Sequence, residues 1–572
     1  MVESSSTAAT SIIKNSTLNE NRTMSPARSE NSVILSDGEE EDHVQRYGAT
    51  NVRYIKRGKQ SIWFSKPRAL NFFKDGILYR TRDERSSTKL ELFLDLMYVG
   101  LIANLAGEAT KNASGLSLLK YFLFFIPLWQ VWADIKDAVN YYYSEDLLQK
   151  LYIFWILCLL TLLVNSHSEV TESRNGAALT IVPYMICRLT LSVFYFIYSI
   201  HIPQHRIQMR LFATSIIFTS LLWIIVIFIS NRAKIGVSIA IMVLETASFI
   251  ICYHPWTKKK LKLRMSTALN IEHEVERMST FVTIALGEFL YKAVANSPLG
   301  PGLSARFARG VFLILIAFNL FWIYNNGSTA KKSVHAIRRS ASTAIGWIYS
   351  HVPLIACLVL AADAGGDLIA SENTSTLKNQ SHSGESNGEL SEHLISRAIY
   401  VSRILYARAS EGAEEEEKEN MYALSFFFTG GICVALISMF IIGMMDRDMD
   451  PKGLHMLPRF WRIFWRVPIG LAIVFISFAE LNTTVLMGVT AALVSALLIY
   501  ESITLTPVTS IRFFCSLFPE SAKKAKELEL KMDQEETSEI QSDIDKLKQQ
   551  QAQLIADRAI DQTLDDDDIE RA

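Results

Sequence analysis

The chain has 572 residues, of which 50% are hydrophobic and 11% aromatic, and its formal net charge is −1. This balance gives no sign of a nucleic-acid partner, which would call for a marked basic excess. Six cysteines without a CxxC pair exclude a disulfide framework and a zinc site, and we expect neither a metal nor another cofactor. Repeated apolar runs of about 20 residues match the thickness of a bilayer core. The composition therefore predicts an all-α, polytopic membrane protein whose first partner is the lipid bilayer.

The N-terminal part divides into two segments before the first apolar run. Residues 1–50 are rich in Ser, Asn, Thr and Glu and lack the apolar stretch of a signal peptide, so we predict a disordered tail. Residues 51–88 mix aromatic and basic residues, as an interfacial segment does. Their excess of Lys and Arg over Asp and Glu places the N-terminus in the cytoplasm by the positive-inside rule.

Twelve candidate spans follow in chain order. They lie at 89–107, 118–140, 149–166, 177–200, 210–230, 235–254, 277–296, 306–326, 341–363, 421–445, 463–481 and 484–506. Alternate loops are basic, which predicts that both termini are cytoplasmic. The pattern does not distinguish the plasma membrane from an endomembrane, and a homo-oligomer is possible.

The spans group into a predicted core and later additions. Nine spans occupy 89–363, an acidic non-cytoplasmic loop covers 364–420, three spans occupy 421–506, and a charged cytoplasmic tail covers 507–572. In the loop, Asn373 and Asn379 stand in Asn-x-Ser/Thr triplets and are candidate glycosylation sites.

A weak internal repeat relates the first and seventh spans. NLAGEATK closes span one and IALGEFLYK lies in span seven, and each is followed by a helix that carries Trp and ends in Asn and Tyr. The chain could therefore consist of two six-helix repeats of the same orientation, an arrangement found in transporters.

Ionisable residues inside these spans are the candidate site, because charge within a bilayer normally faces other helices or water. Glu91 and Asp95 share one face of span one, since they are four residues apart. Arg188 lies near the middle of span four and needs a carboxylate partner. The residues predicted to form a polar interior or transport path are Glu91, Asp95, Asp134, Asp137, Arg188, His273, Glu276, Arg277, Glu288 and His351.

Structural explanations compete with a transport path at each position. Glu91, Glu276 and Arg277 are near span ends and could lie in the hydrated headgroup region. Asp134 and Arg188 could form a salt bridge that only holds the bundle together. His273 and Glu276 have metal-ligand spacing, but no second cluster completes a metal site.

Three motifs in order resemble the signatures of the low temperature requirement A family. They are ELFLDLMYVGLIANL from residue 91, HEVERMSTFVTIALGE from residue 273 and YSHVPLIACLVLAA from residue 349. The positions that match the family's pattern are Glu91, Phe93, Asp95, Leu96, His273, Glu276, Arg277, Gly287, Glu288, Tyr349, His351 and Pro353. The resemblance covers roughly residues 88–365 and fades in the last three spans. The acidic loop and charged tails look like additions to a bacterial core and indicate a eukaryotic, fungal-type member.

The resemblance implies a multi-pass membrane protein and gives no substrate. From the buried carboxylates we expect a transporter or channel that handles a cation or protons, with an unidentified ion or small solute as its cargo. The alternative is a membrane scaffold, sensor or chaperone without transport, in which the buried charges are structural. No catalytic motif is present, so we do not expect an enzyme.

Overall fold

The computed structural model describes most of the chain between residues 52 and 506. The described ranges are 52–55, 62–74, 77–81, 86–142, 146–295, 302–326, 333–371, 395–448 and 457–506, together with a few single positions, and for 395–417 only the backbone is described. The predicted tail 1–50, most of the tail 507–572, and the triplets at Asn373 and Asn379 lie outside these residues.

Twelve long helices form the described structure, in the order predicted. They are α1 Lys89–Lys111, α2 Gly115–Tyr142, α3 Leu147–Ser166, α4 Arg174–His201, α5 Arg206–Phe228, α6 Asn231–Tyr253, α7 Ile271–Val294, α8 Ala305–Asn325, α9 Ala341–Ala370, α10 Ile395–Met445, α11 Arg459–Ser477 and α12 Thr483–Leu505. The helix α11 consists of two pieces, Arg459–Phe464 and Arg466–Ser477, that meet at Trp465.

Eleven of these helices are long and apolar enough to cross a membrane, within the residues described. The exception is α7, which has the length of a span but begins with the charged sequence IEHEVER. The prediction of an all-α polytopic membrane protein is confirmed.

The loop predicted at 364–420 is shorter in the structure than in the sequence analysis. The helix α9 continues to Ala370, and α10 begins at Ile395, so the acidic run EEEEKE is helical. This segment is rich in Ala, Glu and Arg, which favour a helix even where the sequence is too polar to resemble a span.

A small sheet, which the sequence analysis did not predict, joins the segment before α1 to the loop before α7. Its strands β1 Val52–Ile55, β2 Phe72–Lys74, β3 Ile77–Thr81 and β4 Met265–Thr267 pair in the order β1-β3-β2-β4. Only β1 and β3 are parallel. Strands of three to five residues are too short to show a clear alternating pattern.

Two six-helix halves pack in the same pattern, as the repeat hypothesis predicts. In the first half α1 packs against α2 and α3, α4 against α3 and α5, and α6 against α5 and α2. In the second half α7 packs against α8 and α9, α10 against α9 and α11, and α12 against α11 and α8. The halves meet where α1 contacts α7 and α9.

The most extensive helix pair is α9 with α10, and small residues allow their close approach. Nearly every side chain of α9 from Leu354 to Gly366 is buried. On α10, a Cβ added at Gly431 would lie 2.8 Å from the backbone oxygen of Cys357, whereas one at the neighbouring Gly430 would meet nothing within 4 Å. Backbone contact at Gly431 therefore sets the spacing of the two helices.

We expect Gly431→Ala to destabilise the protein and Gly430→Ala to leave it unchanged or slightly more stable. The added methyl at 431 must separate α9 from α10, and overpacking of this kind costs about 1–3 kcal/mol. At 430 the same change only improves helix propensity. Thermal unfolding of the detergent-solubilised protein measures both variants, and equal midpoints would contradict the proposed contact.

Candidate functional site

Asp95 connects three helices at the junction of the two halves. Its Oδ1 accepts a hydrogen bond from Arg277 Nη2 at 2.7 Å and another from Trp132 Nε1 at 2.8 Å, and the residue is fully buried. Arg277 also lies 5.9 Å from the centre of the Trp132 ring. One carboxylate of α1 therefore fixes a guanidinium of α7 and an indole of α2.

Glu91 lies one turn before Asp95 and binds the start of α7. Its Oε2 accepts from the backbone N–H of Thr88 at 2.8 Å in a capping box at the start of α1. Its Oε1 lies 2.9 Å from Nε2 of His273, whose Nδ1 lies 3.2 Å from Asn140 Nδ2. The first turn of α1, the first turn of α7 and the last turns of α2 are thus connected by polar side chains.

A second ionic group lies beside the contact of Glu91 with His273. Lys136 Nζ contacts Glu274 Oε1 and lies 3.0 Å from Asp137 Oδ1, and all three residues are buried. Two carboxylates therefore share one ammonium group between α2 and α7.

A third ionic group links α2, α4 and α6 nearer the middle of the bundle. Arg188 pairs with Asp134 Oδ2, and its Nε lies 3.8 Å from Glu245 Oε1. Glu245 also accepts hydrogen bonds from Tyr184 at 2.8 Å and from Trp223 at 3.2 Å. The predicted carboxylate partner of Arg188 is therefore present, and a second acid joins it.

These three groups form one set, which we call the carboxylate cluster. Each member is less than 8% exposed, so each lies within the protein and not at its lipid-facing surface. Six of its members are acids and three are permanent cations. The acids are Glu91, Asp95, Asp134, Asp137, Glu245 and Glu274, and the cations are Lys136, Arg188 and Arg277.

Three of the predicted site residues lie outside the carboxylate cluster. Glu276 is exposed, and its Oε2 accepts from the backbone N–H of Ser87, just before α1, at 3.1 Å. His351 is buried in α9, where Nδ1 lies 2.8 Å from the backbone oxygen of Trp347 and Nε2 lies 3.1 Å from the Tyr324 hydroxyl.

Glu288 belongs to a separate polar group at the other end of α7. It is eleven residues beyond Arg277, or about 16 Å along the helix. Lys292 pairs there with Asp363 of α9, which also accepts from the Thr110 hydroxyl at 2.7 Å. The single polar interior that was expected to hold Asp95, Glu288 and His351 is therefore divided: helical rise separates Glu288 from Asp95, and His351 forms its hydrogen bonds with Tyr324 and Trp347 and not with the cluster.

The sequence analysis missed Lys136, Glu245 and Glu274. Glu245 is the one acid in the α6 sequence and could have been found by the same rule that selected Asp95. Lys136 stands next to Asp137 in the sequence and Glu274 lies between two other glutamates, so only the contact of α2 with α7 distinguishes them. Among the described residues, no three His, Cys, Asp or Glu side chains converge as metal ligands would.

A cavity of about 650 Å³ opens at the end of the first half opposite Glu91. Its walls come from the last turns of α1, α3 and α5 and the first turns of α2, α4 and α6. Tyr184 and Trp223 line it, and these are the residues that donate to Glu245. The cavity therefore ends one hydrogen bond from the carboxylate cluster.

The second half has a buried ion pair of a different kind. Arg466 of α11 binds both oxygens of Glu501 on α12, at 2.7 and 2.8 Å, and also donates to the backbone oxygens of Met439 and Ile323. One acid meets one base, with no excess charge, as expected of a structural pair.

We expect Arg188→Met to be strongly destabilising, because it leaves Asp134 and Glu245 buried without their cation. Breaking a buried pair in this way costs about 3–5 kcal/mol. The double change Arg188→Met with Asp134→Leu should recover most of that loss. Thermal unfolding in detergent tests both, with the exposed Arg232→Met as the control, and a single variant as stable as the wild type would refute the pairing.

The sequence matches a known family model over most of its length. The model of the bacterial low temperature requirement A protein (LtrA) matches residues 86–500, which begin just before α1 and end within α12. The match includes the last three helices, where the three motifs gave no resemblance. Neither the search of curated proteins nor that of solved structures found a match. The chain belongs to the low temperature requirement A family of multi-pass membrane proteins.

Proposed function

We propose that the protein moves protons or a small inorganic cation across the membrane through its first half. The observation that carries this proposal is the charge imbalance of the carboxylate cluster. The cluster holds six buried acids and three permanent cations among the described residues, and even with Glu91 left aside, because it binds His273 and the start of α1, two negative charges remain in excess. Excess charge in apolar surroundings costs several kcal/mol per group. Bound protons or cations relieve that cost.

The order of the groups supports a path along the bundle. From the cavity, Tyr184 and Trp223 bind Glu245, which neighbours Arg188, and Arg188 pairs with Asp134. Further along α2 come the groups of Lys136 and His273, and Glu91 lies at the start of α1. A proton or cation that enters by the cavity would therefore pass from acid to acid toward the opposite face.

The alternative, a scaffold without transport, would account for a balanced ion pair. It does not account for the excess of acids in the carboxylate cluster. Arg466 and Glu501 show how this chain builds a neutral structural contact. A purely structural cluster would not need three more acids than permanent cations. We therefore favour transport, and we take the protein to be a carrier or channel and not an enzyme.

Flux in reconstituted vesicles tests the proposal. We expect the wild type to dissipate an imposed gradient of H⁺, Na⁺ or K⁺, followed with a pH-sensitive dye and ion-selective dyes in separate arms. The double variant Asp95→Asn with Arg277→Gln removes one acid and one base, so it leaves the net charge of the cluster unchanged, and it should lower the flux at least tenfold. The matched control, Arg466→Gln with Glu501→Gln, should retain it.

Two results would refute the proposal: wild-type vesicles indistinguishable from empty ones for all three ions, or a cluster variant as active as the control. Size-exclusion profiles of each purified variant establish that loss of flux is not loss of folding.

We further propose that both termini are cytoplasmic, which the basic loops 257–264 and 330–339 support. Residues 371–394 then lie on the opposite side. In a eukaryotic host the protein should carry glycans that an endoglycosidase removes, and Asn373→Gln with Asn379→Gln should abolish the mobility shift.

A reporter tag at the C-terminus should be accessible only from the cytoplasmic side, and a tag accessible from outside would reverse the orientation.

A further inference from the structure

Among the described residues, the second half closes the position that corresponds to the cavity of the first half. There the equivalent helices α8 and α12 pack directly: a Cβ at Gly488 would lie 3.2 Å from the Phe312 ring, and Asn319 donates to the Ser495 hydroxyl at 2.7 Å. In the first half, α2 and α6 instead form parts of the cavity wall. The two helices are held apart at the position that the second half closes.

Most of the cavity wall is apolar. Representative side chains are Leu105, Phe124, Ile181, Val226 and Met242, which come from five different helices. Along α2 and α6 the cavity extends over about eleven residues, or roughly 16 Å of helix. A deep, largely apolar cavity of this volume is in the size range of small-molecule sites and can hold a single alkyl chain.

The mouth of the cavity is basic. Lys120, Arg232 and Lys234 line it, together with the acids Glu108 and Glu172. Glu108 is already paired with Lys111 at 2.7 Å. Three cations at the mouth therefore face one remaining acid, Glu172.

Lys234 is the cation best placed to hold a ligand. The residue is only 9% exposed, and its Nζ donates to the backbone oxygen of Val170 at 2.7 Å. That bond uses one of the three N–H donors of an ammonium group. A carboxylate, phosphate or sulfate at the mouth could accept from the others.

We propose that this cavity binds a single-chain amphiphile with an anionic headgroup, the alkyl chain between α2 and α6 and the headgroup beside Lys234. The apolar wall selects the chain and the basic mouth selects the charge. A bound chain would lie against Tyr184 and Trp223 and so cover the cavity end of the carboxylate cluster. The inference goes beyond the proposed transport function and does not depend on it, because binding is measurable without flux.

Three probes with one chain and different headgroups test the inference. Radiolabelled dodecanoate, dodecylamine and dodecanol are titrated at pH 8 against the full-length protein in nanodiscs, with empty nanodiscs subtracted. We expect saturable dodecanoate binding at one site per protein. The amine and the alcohol should bind at least tenfold more weakly, because only the carboxylate complements the basic mouth.

Variants locate the site. Lys234→Gln should weaken dodecanoate binding about tenfold, whereas Lys150→Gln, an exposed lysine far from the cavity, should not change it. Ser238→Trp fills the cavity and should abolish binding. Its neighbour Ile239 is 44% exposed and does not line the cavity, so Ile239→Trp should bind like the wild type.

Several outcomes would overturn the inference. They are binding no greater than to empty nanodiscs, equal affinity for the three probes, a preference for the amine, or unchanged binding in Ser238→Trp. The Asp95→Asn with Arg277→Gln variant separates this inference from the transport proposal: it should lose flux and still bind dodecanoate.

Discussion

The contact of Asp95 with Arg277 is the interaction on which the arrangement of the central helices depends. A guanidinium or a carboxylate in the apolar interior is tolerated only if it meets a partner of opposite charge and its remaining polar atoms are hydrogen-bonded. Asp95 meets the first part of that requirement through Arg277 of α7, and its Oδ1 also accepts from Trp132 of α2, whereas its Oδ2 is buried without a hydrogen-bond partner among the described residues. Because the three side chains must converge, α1, α2 and α7 have little freedom to slide or rotate relative to one another.

The two halves share a packing pattern and differ in their polar chemistry. The second half contains a balanced ion pair, Arg466 with Glu501. Its helices α8 and α12 pack directly against each other at Gly488 and through the side-chain amide of Asn319. The first half contains an excess of acids and keeps a cavity between its equivalent helices. The two halves therefore differ most where α2 faces α6 and α8 faces α12: the first pair encloses a cavity and the second pair is closed.

The residues of the family motifs are used in two ways. The first and second family motifs meet at the contact of the two halves. The first motif supplies Glu91 and Asp95, and the second supplies their partners His273 and Arg277. Glu276 stands between His273 and Arg277 in the sequence yet lies on the exposed face of α7. Its Oε2 accepts from the backbone N–H of Ser87, so it joins the start of α7 to the segment just before α1.

The sequence by itself determined the class of the protein, the number and order of its long helices, and four of the six acids of the carboxylate cluster. Hydrophobic run length and buried charge are local properties, and they can be read without knowing which helices touch. Only the tertiary structure decided which acid meets which base, because that depends on packing between segments far apart in the chain. It joined Lys136 to Glu274 and Glu245 to Arg188, and it separated Glu288 from Asp95 through the rise of the helix that carries Arg277. The cavity likewise belongs to the fold alone, since six helix ends must come together before any space exists between them.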